Sequence, residues 1–129
     1  MLSKKVYRGN PEGKIADDIT KFLEERSWVV YNMHGNMFQK GIPDKLCLHK
    51  KYKLRWVEVK NPIRYAFTKA QRFVFPQFEQ CGIGIWVMTG ATEDEYRKLF
   101  RPPNWMEFLH PRDIKWIKTQ YEWTKEWFK

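Results

Sequence analysis

A short basic turn, His49-Lys50-Lys51-Tyr52-Lys53, separates two stretches of strand-forming composition, Lys45–His49 and residues 54–60 (LRWVEVK), and the dipeptide Asn61-Pro62 closes the second. Segments joined this tightly are expected to pair as a hairpin. Proline has no amide proton to donate, so the ladder cannot run past Asn61. Strand periodicity then turns Glu58 and Lys60 to one face and Val57 and Val59 to the other. Asp44 opens the first strand directly after the turn Gly41-Ile42-Pro43. Pairing therefore brings Asp44 alongside Glu58, and two carboxylates and an ammonium are expected to meet at one end of the hairpin.

The flanking segments extend this unit into an α/β domain. Residues 11–26 (PEGKIADDITKFLEER) have Asn10 as a candidate N-cap, Pro11 in the first turn, and Ile15, Ile19, Phe22 and Leu23 along one face, which predicts a helix. Residues 28–33 (WVVYNM) read as a strand, and 34–43 as a loop punctuated by Gly35, Gly41 and Pro43. Thr68 is positioned to cap a helix running to about Cys81, with Ala70, Phe73, Val74 and Phe78 inward and a kink or break at Pro76. Gly82 ends it, and residues 83–88 (IGIWVM) form a fourth strand apolar enough to be central. Thr92 and Glu95 form a capping box for a short helix to about Phe100. The order is α-β-β-β-α-β over a core of about 10–90, followed by a helical appendage over about 91–129. No linker, repeat or low-complexity tract divides the 129 residues, a length that suits one domain.

Charge is distributed unevenly. Ten basic residues lie between Lys40 and Arg72, with Asp44 and Glu58 as the only acids there, so that stretch carries +8 of the formal +9. Such a segment favours a polyanionic partner. Two isolated carboxylates inside it are explained if they bind a divalent cation beside a phosphate backbone. A hydrophobic content of 43% argues against a disordered chain. No segment approaches the roughly 18 apolar residues of a membrane span, the N-terminus has no apolar leader core, and no glycine-rich loop cradles a nucleotide. Cys47 and Cys81 lie in apolar stretches without CxxC spacing and read as buried reduced thiols, which suits a cytoplasmic, soluble protein. His34, His49 and His110 have no zinc-like spacing.

Hydrolysis of a phosphodiester requires charge neutralisation and a positioned water. Magnesium takes oxygen ligands and keeps several waters, so two carboxylates and a main-chain carbonyl suffice to hold it, the carbonyl of Val59 being the candidate. Lys60 can orient or deprotonate the water, or stabilise the crowded phosphate as a point charge.

With these residues in place, Gly41-Ile42-Pro43-Asp44, Glu58-Val59-Lys60 at a strand end and Gln71 in the next helix resemble the PD-(D/E)XK nuclease superfamily. The likeness is nearest to its VRR-NUC and Holliday-junction-resolvase-like branches and covers about residues 10–90. The resemblance implies a restriction-endonuclease-like fold, a mixed central sheet flanked by helices. It also implies Mg2+-dependent endonuclease activity on DNA, branched or structured DNA being the expected substrate, with Mn2+ able to substitute. On this likeness Asp44 and Glu58 are metal ligands, Lys60 is the catalytic lysine, and Gln71 supports the site or contacts the substrate phosphate. An acid from the first helix joins them, Glu12 being preferred over Asp17 and Asp18. Compact nucleases of this kind are similar to those of phages and mobile elements.

Plainer readings remain beside these. Glu58 and Lys60 could form an exposed ion pair, Asp44 could simply start a turn, Glu12 could be an ordinary first-turn acid, and Gln71 an exposed glutamine. DNA contact is expected from Lys40, Lys45, Lys50, Lys51, Lys53, Arg64, Lys69 and Arg72, although the hairpin-tip lysines could serve only to protect an edge. The aromatic C-terminal segment, with Ile114, Ile117, Tyr121 and Phe128 inward, covers the domain, forms a homodimer interface or stacks bases. Two rival functions stay open: a non-catalytic nucleic-acid-binding module, and a subunit active only with its partner.

Overall fold

The computed structural model describes residues 11–33 and 40–129; the Asn10 cap, His34 and Gly35 lie outside them. Helix α1 (Pro11–Glu24) is followed by β1 (Val29–Asn32), β2 (Lys45–His49), β3 (Lys53–Val59), α2 (Lys69–Gln80) and β4 (Ile85–Met88). Beyond β4 come α3 (Glu93–Arg97), 3-10 turns at Lys98–Phe100 and Trp105–Phe108, α4 (Pro111–Gln120) and a 3-10 segment, Glu122–Phe128. The expected α-β-β-β-α-β order is therefore present, with a helical extension after it.

The sheet order is β1-β2-β3-β4, antiparallel across the first three strands and parallel between β3 and β4. The β2–β3 hairpin aligns Lys45 with Val57 and His49 with Lys53. Its turn is held by His49, whose Nδ1 accepts from the amides of Lys51 (3.0 Å) and Tyr52 (3.3 Å). Two apolar clusters form. Ile15, Ile19 and Leu23 of α1 pack with Cys47, Val57, Val59 and Met88. Phe75 of α2 packs with Ile85, Val87, Phe67 and Trp105. Because strand side chains alternate, the two clusters occupy opposite faces of the sheet, with α1 on one side and α2 on the other.

Several expectations need correction. Strand β4 lies at the sheet edge rather than in its centre. Its apolar composition reflects burial on both faces, and part of its outer edge is satisfied by a side chain: Asn104 accepts from Val87 N (2.6 Å) and donates to Val87 O (3.2 Å). Of the kink or break expected at Pro76, the break is absent: helix α2 runs on to Gln80. It buries Gln71, Phe75 and Pro76 rather than Ala70 and Phe73. The helix is covered on two sides: Phe73 turns to Trp116 and Tyr121 of the appendage, while Val74 and Phe78 pack partly against the second cluster. Cys81 is exposed, because it caps α2 outside the core, whereas Cys47 is buried as expected. In α4 only Ile117 of the expected inward set is fully buried, joined by Asp113. Among the described residues, no helix is long and apolar enough to cross a membrane.

Candidate active site

The far end of the β2–β3 hairpin from its basic turn assembles the candidate site. Gly41, at φ +87°, turns the chain into β2; a Cβ there would lie 2.6 Å from the Ala70 carbonyl oxygen of α2, so glycine is required by both conformation and space. Three residues on, the Asp44 carboxylate accepts from the Val59 amide (Oδ2, 2.8 Å) in place of a ladder partner. The Asp44 amide in turn approaches Glu58 Oε1 at 3.3 Å. A strand residue's N–H and C=O project to the same side, so the Val59 carbonyl also faces the Asp44 side.

Glu58 and Lys60 face α2 as strand alternation requires, and both are almost fully withdrawn from solvent, at 1% and 3% exposure. Lys60 Nζ lies 3.0 Å from Glu58 Oε2. It donates to Gln71 Oε1 (3.0 Å) and to the Ala66 carbonyl (2.8 Å), and sits over the Phe67 ring. Gln71 Nε2 donates to Glu58 Oε2 (2.7 Å). Gln71 Oε1 also accepts from the Thr68 amide (3.0 Å), while Thr68 Oγ1 accepts from the Gln71 amide (3.1 Å). The capping box that starts α2 thus fixes the amide that holds Glu58 and Lys60 together. The exposed ion pair and the exposed glutamine considered from sequence are both excluded by this burial.

Burial pushes the Glu58 carboxyl up to about 8, and the Asp44 charge adds to the rise; Lys60 and Gln71 oppose it. Glu12 is also raised, by burial first, with Lys60 lowering it and Asp44 raising it, so α1 brings this acid within electrostatic reach of the pair. No three His, Cys, Asp or Glu side chains among the described residues gather closely enough to hold one metal ion. In this arrangement Glu12 does not complete a three-acid cluster. The donors at hand are the hard oxygens of Asp44 and Glu58 with the Val59 carbonyl. A carboxyl raised first by burial and then by a second carboxylate is a setting that a divalent cation would relieve, so the set fits magnesium.

The cations expected to contact DNA separate into three groups. Lys40, Arg64 and Lys69 are exposed. Lys50, Lys51 and Lys53 are exposed too, but they occupy the opposite end of the hairpin, about 17 Å from Glu58 at the rise of a β-strand. Lys45 is a correction: it is 1% exposed and donates to Thr20 Oγ1 (2.7 Å) and Asn32 Oδ1 (2.6 Å) beneath α1. Burial lowers its pKa and pushes the neighbouring Cys47 thiol up to about 12. Arg72 is also committed within the fold, to Asp113 at 3.5 Å and to the face of Trp116. Sequence reasoning missed the Ala66 carbonyl as a holder of Lys60, and a main-chain acceptor carries no residue-type signal. It also missed Asp113, whose unusual place in an apolar helix face was the available clue.

No family model matches the chain, and no curated protein matches it. A solved structure described as a VRR_NUC domain aligns with a TM-score of 0.54 at 19% identity, covering 72% of this chain and 98% of that one. The α/β core that seats Asp44, Glu58, Lys60 and Gln71 therefore has the fold of a VRR_NUC domain, restriction-endonuclease-like, within a longer chain.

Proposed function

We propose that this chain is a magnesium-dependent DNA endonuclease that acts on branched or structured DNA. The observation that carries the reading is the buried constellation of Glu58, Lys60 and Gln71 against Asp44. Asp44 and Glu58, with the Val59 carbonyl, would hold the cation. Bound there, magnesium would acidify a water and neutralise charge on the phosphate. Lys60 carries a fixed positive charge into the site and would orient the attacking water or stabilise the equatorial phosphate oxygens. Gln71 keeps Glu58 and Lys60 in register. Water adds to phosphorus and the P–O3′ bond breaks, leaving a 5′-phosphate and a 3′-hydroxyl, with the water proton passing to solvent or to the leaving oxygen. The nuclease likeness of the neighbouring VRR_NUC structure and the positive charge between Lys40 and Arg72 support the same reading.

The closed state of Lys60, which is bonded on three sides, favours a second version in which a partner or the substrate must open the site before it acts. Both versions are tested by incubating the chain and its Lys60→Ala and Asp44→Ala variants with linear, flapped and four-way-junction DNA, in magnesium or in EDTA. Cleavage by the parent in magnesium alone, lost by about 10³-fold or more in both variants on the scale of electrostatic catalysis, supports the reading. Equal cleavage by parent and variants refutes it.

A further inference from the structure

Several surface cations of this chain are neutralised by an acid one turn away. Lys14 pairs with Asp18, Arg97 with Asp94, Lys98 with Glu95, Lys125 with Glu122 and Lys129 with Glu126. Helix α4 gathers three cations that have no such partner. Its solvent side carries Arg112, Lys115 and Lys118, and none of them pairs with an acid among the described residues. The one acid of the helix, Asp113, is turned inward to Arg72. Arg112 also sits in the first turn, where the helix dipole disfavours positive charge. The first turn also holds Asp113, which accepts from the His110 amide (3.0 Å), so the unpaired charge of the helix lies on its solvent side.

The surrounding surface has room for an anion. Lys115, Lys118 and Lys125 line an open groove of about 570 Å³ together with Ile114 and Thr119, and its single acid, Glu122, is engaged by Lys125 at 3.6 Å. From Arg112 to Lys118 the helix rises about 9 Å, a span that suits two or three successive phosphates of a duplex.

Two tethers connect α4 to the candidate site. His110, which caps α4, stacks on Tyr65 and has its Nε2 3.1 Å from the Tyr65 carbonyl; the next residue, Ala66, holds Lys60. Asp113 holds Arg72, the residue after Gln71. The first turn of α4 is thus one residue removed from the site on both sides. We propose that the solvent face of α4, built on Arg112, Lys115 and Lys118, binds the phosphate backbone of a duplex arm of the DNA whose scissile phosphate lies at Asp44 and Glu58, an inference that rests on the nuclease reading for its substrate.

The test is a salt titration of binding to a labelled duplex and a four-way junction in EDTA, where no cleavage occurs. It compares the parent, the Arg112→Gln/Lys115→Gln/Lys118→Gln variant, and an equal-charge control, Lys14→Gln/Lys21→Gln/Arg97→Gln. Two to three lost phosphate contacts make the slope of log affinity against log salt shallower by about 2–3 in the α4 variant, while the control keeps the parent's slope. Equal slopes in the α4 variant and the control overturn the inference, as does an α4 variant that loses affinity for polyglutamate but not for DNA, which assigns the face to an acidic protein. Cleavage by the parent with an unchanged α4 slope removes this inference alone. A shallower α4 slope in EDTA, with equal cleavage by the parent and its Lys60→Ala variant in magnesium, removes the nuclease reading alone.

Discussion

Replacing Glu58 by glutamine removes an ionisation that the fold disfavours while keeping the shape of the side chain. The folded carboxyl is held at about 8 against an ordinary 4.5, by burial and then by Asp44. The folded protein therefore binds a proton that the unfolded chain has already released, so this group's contribution to stability is fully present below pH 4.5 and is lost as pH rises towards 8. Taking these two values, ionisable Glu58 costs about 1 kcal/mol at pH 5, about 3 kcal/mol at pH 7 and about 5 kcal/mol at pH 9. Urea unfolding in EDTA measures this directly. The Glu58→Gln variant should gain on the parent by about 3–4 kcal/mol between pH 5 and pH 8. Glu12 is shifted in the same direction but is present in both proteins, so its effect cancels in the comparison. Magnesium should flatten the parent's decline with pH and leave the variant's curve unchanged. Parallel curves for the two proteins would show that Glu58 ionises freely, and the account of the site as a strained pair of carboxylates would fail.

Three further outcomes follow from the same geometry. Gln71→Ala leaves Glu58 and Lys60 each short of a partner, so stability falls by about 1–3 kcal/mol and steady-state cleavage loses kcat rather than KM. Lys45→Met should leave the salt dependence of DNA binding unchanged, because the Lys45 ammonium is buried under α1; a shallower slope would return it to the DNA surface. Asn104→Ala strips the side-chain partner from both the amide and the carbonyl of Val87, which should cost about 1–3 kcal/mol and hasten hydrogen exchange at the Val87 amide.

The hairpin, the element order and the meeting of Asp44 with Glu58 and Lys60 could all be read from the sequence, because each depends on short-range periodicity and on turn residues. What escaped was set at long range. The edge position of β4 could not be inferred from its apolar composition, since a strand covered on both faces looks the same at the centre and at a covered edge. The buried face of α2 was misjudged because the appendage takes up Phe73, giving the helix two apolar sides where one was assumed. Lys45 and Arg72 counted as surface charge in a tally of residues. Only the fold shows that one is enclosed by Thr20 and Asn32 and the other by Asp113 and Trp116.

At Gly41 the chain leading into Asp44 lies directly on the main chain of α2, beside the residue that precedes Gln71. The Val74 side chain closes the same point, its Cγ2 2.7 Å from where a Gly41 Cβ would sit. The separation between the acid on one element and the amide on the other is consequently set by two rigid backbones in contact, like parts located against a common stop. Drift in the outlying loops or in the appendage can be absorbed before it reaches this seam, but a single added methyl at Gly41 cannot, because it would lever Asp44 away from the partners supplied by β3 and α2.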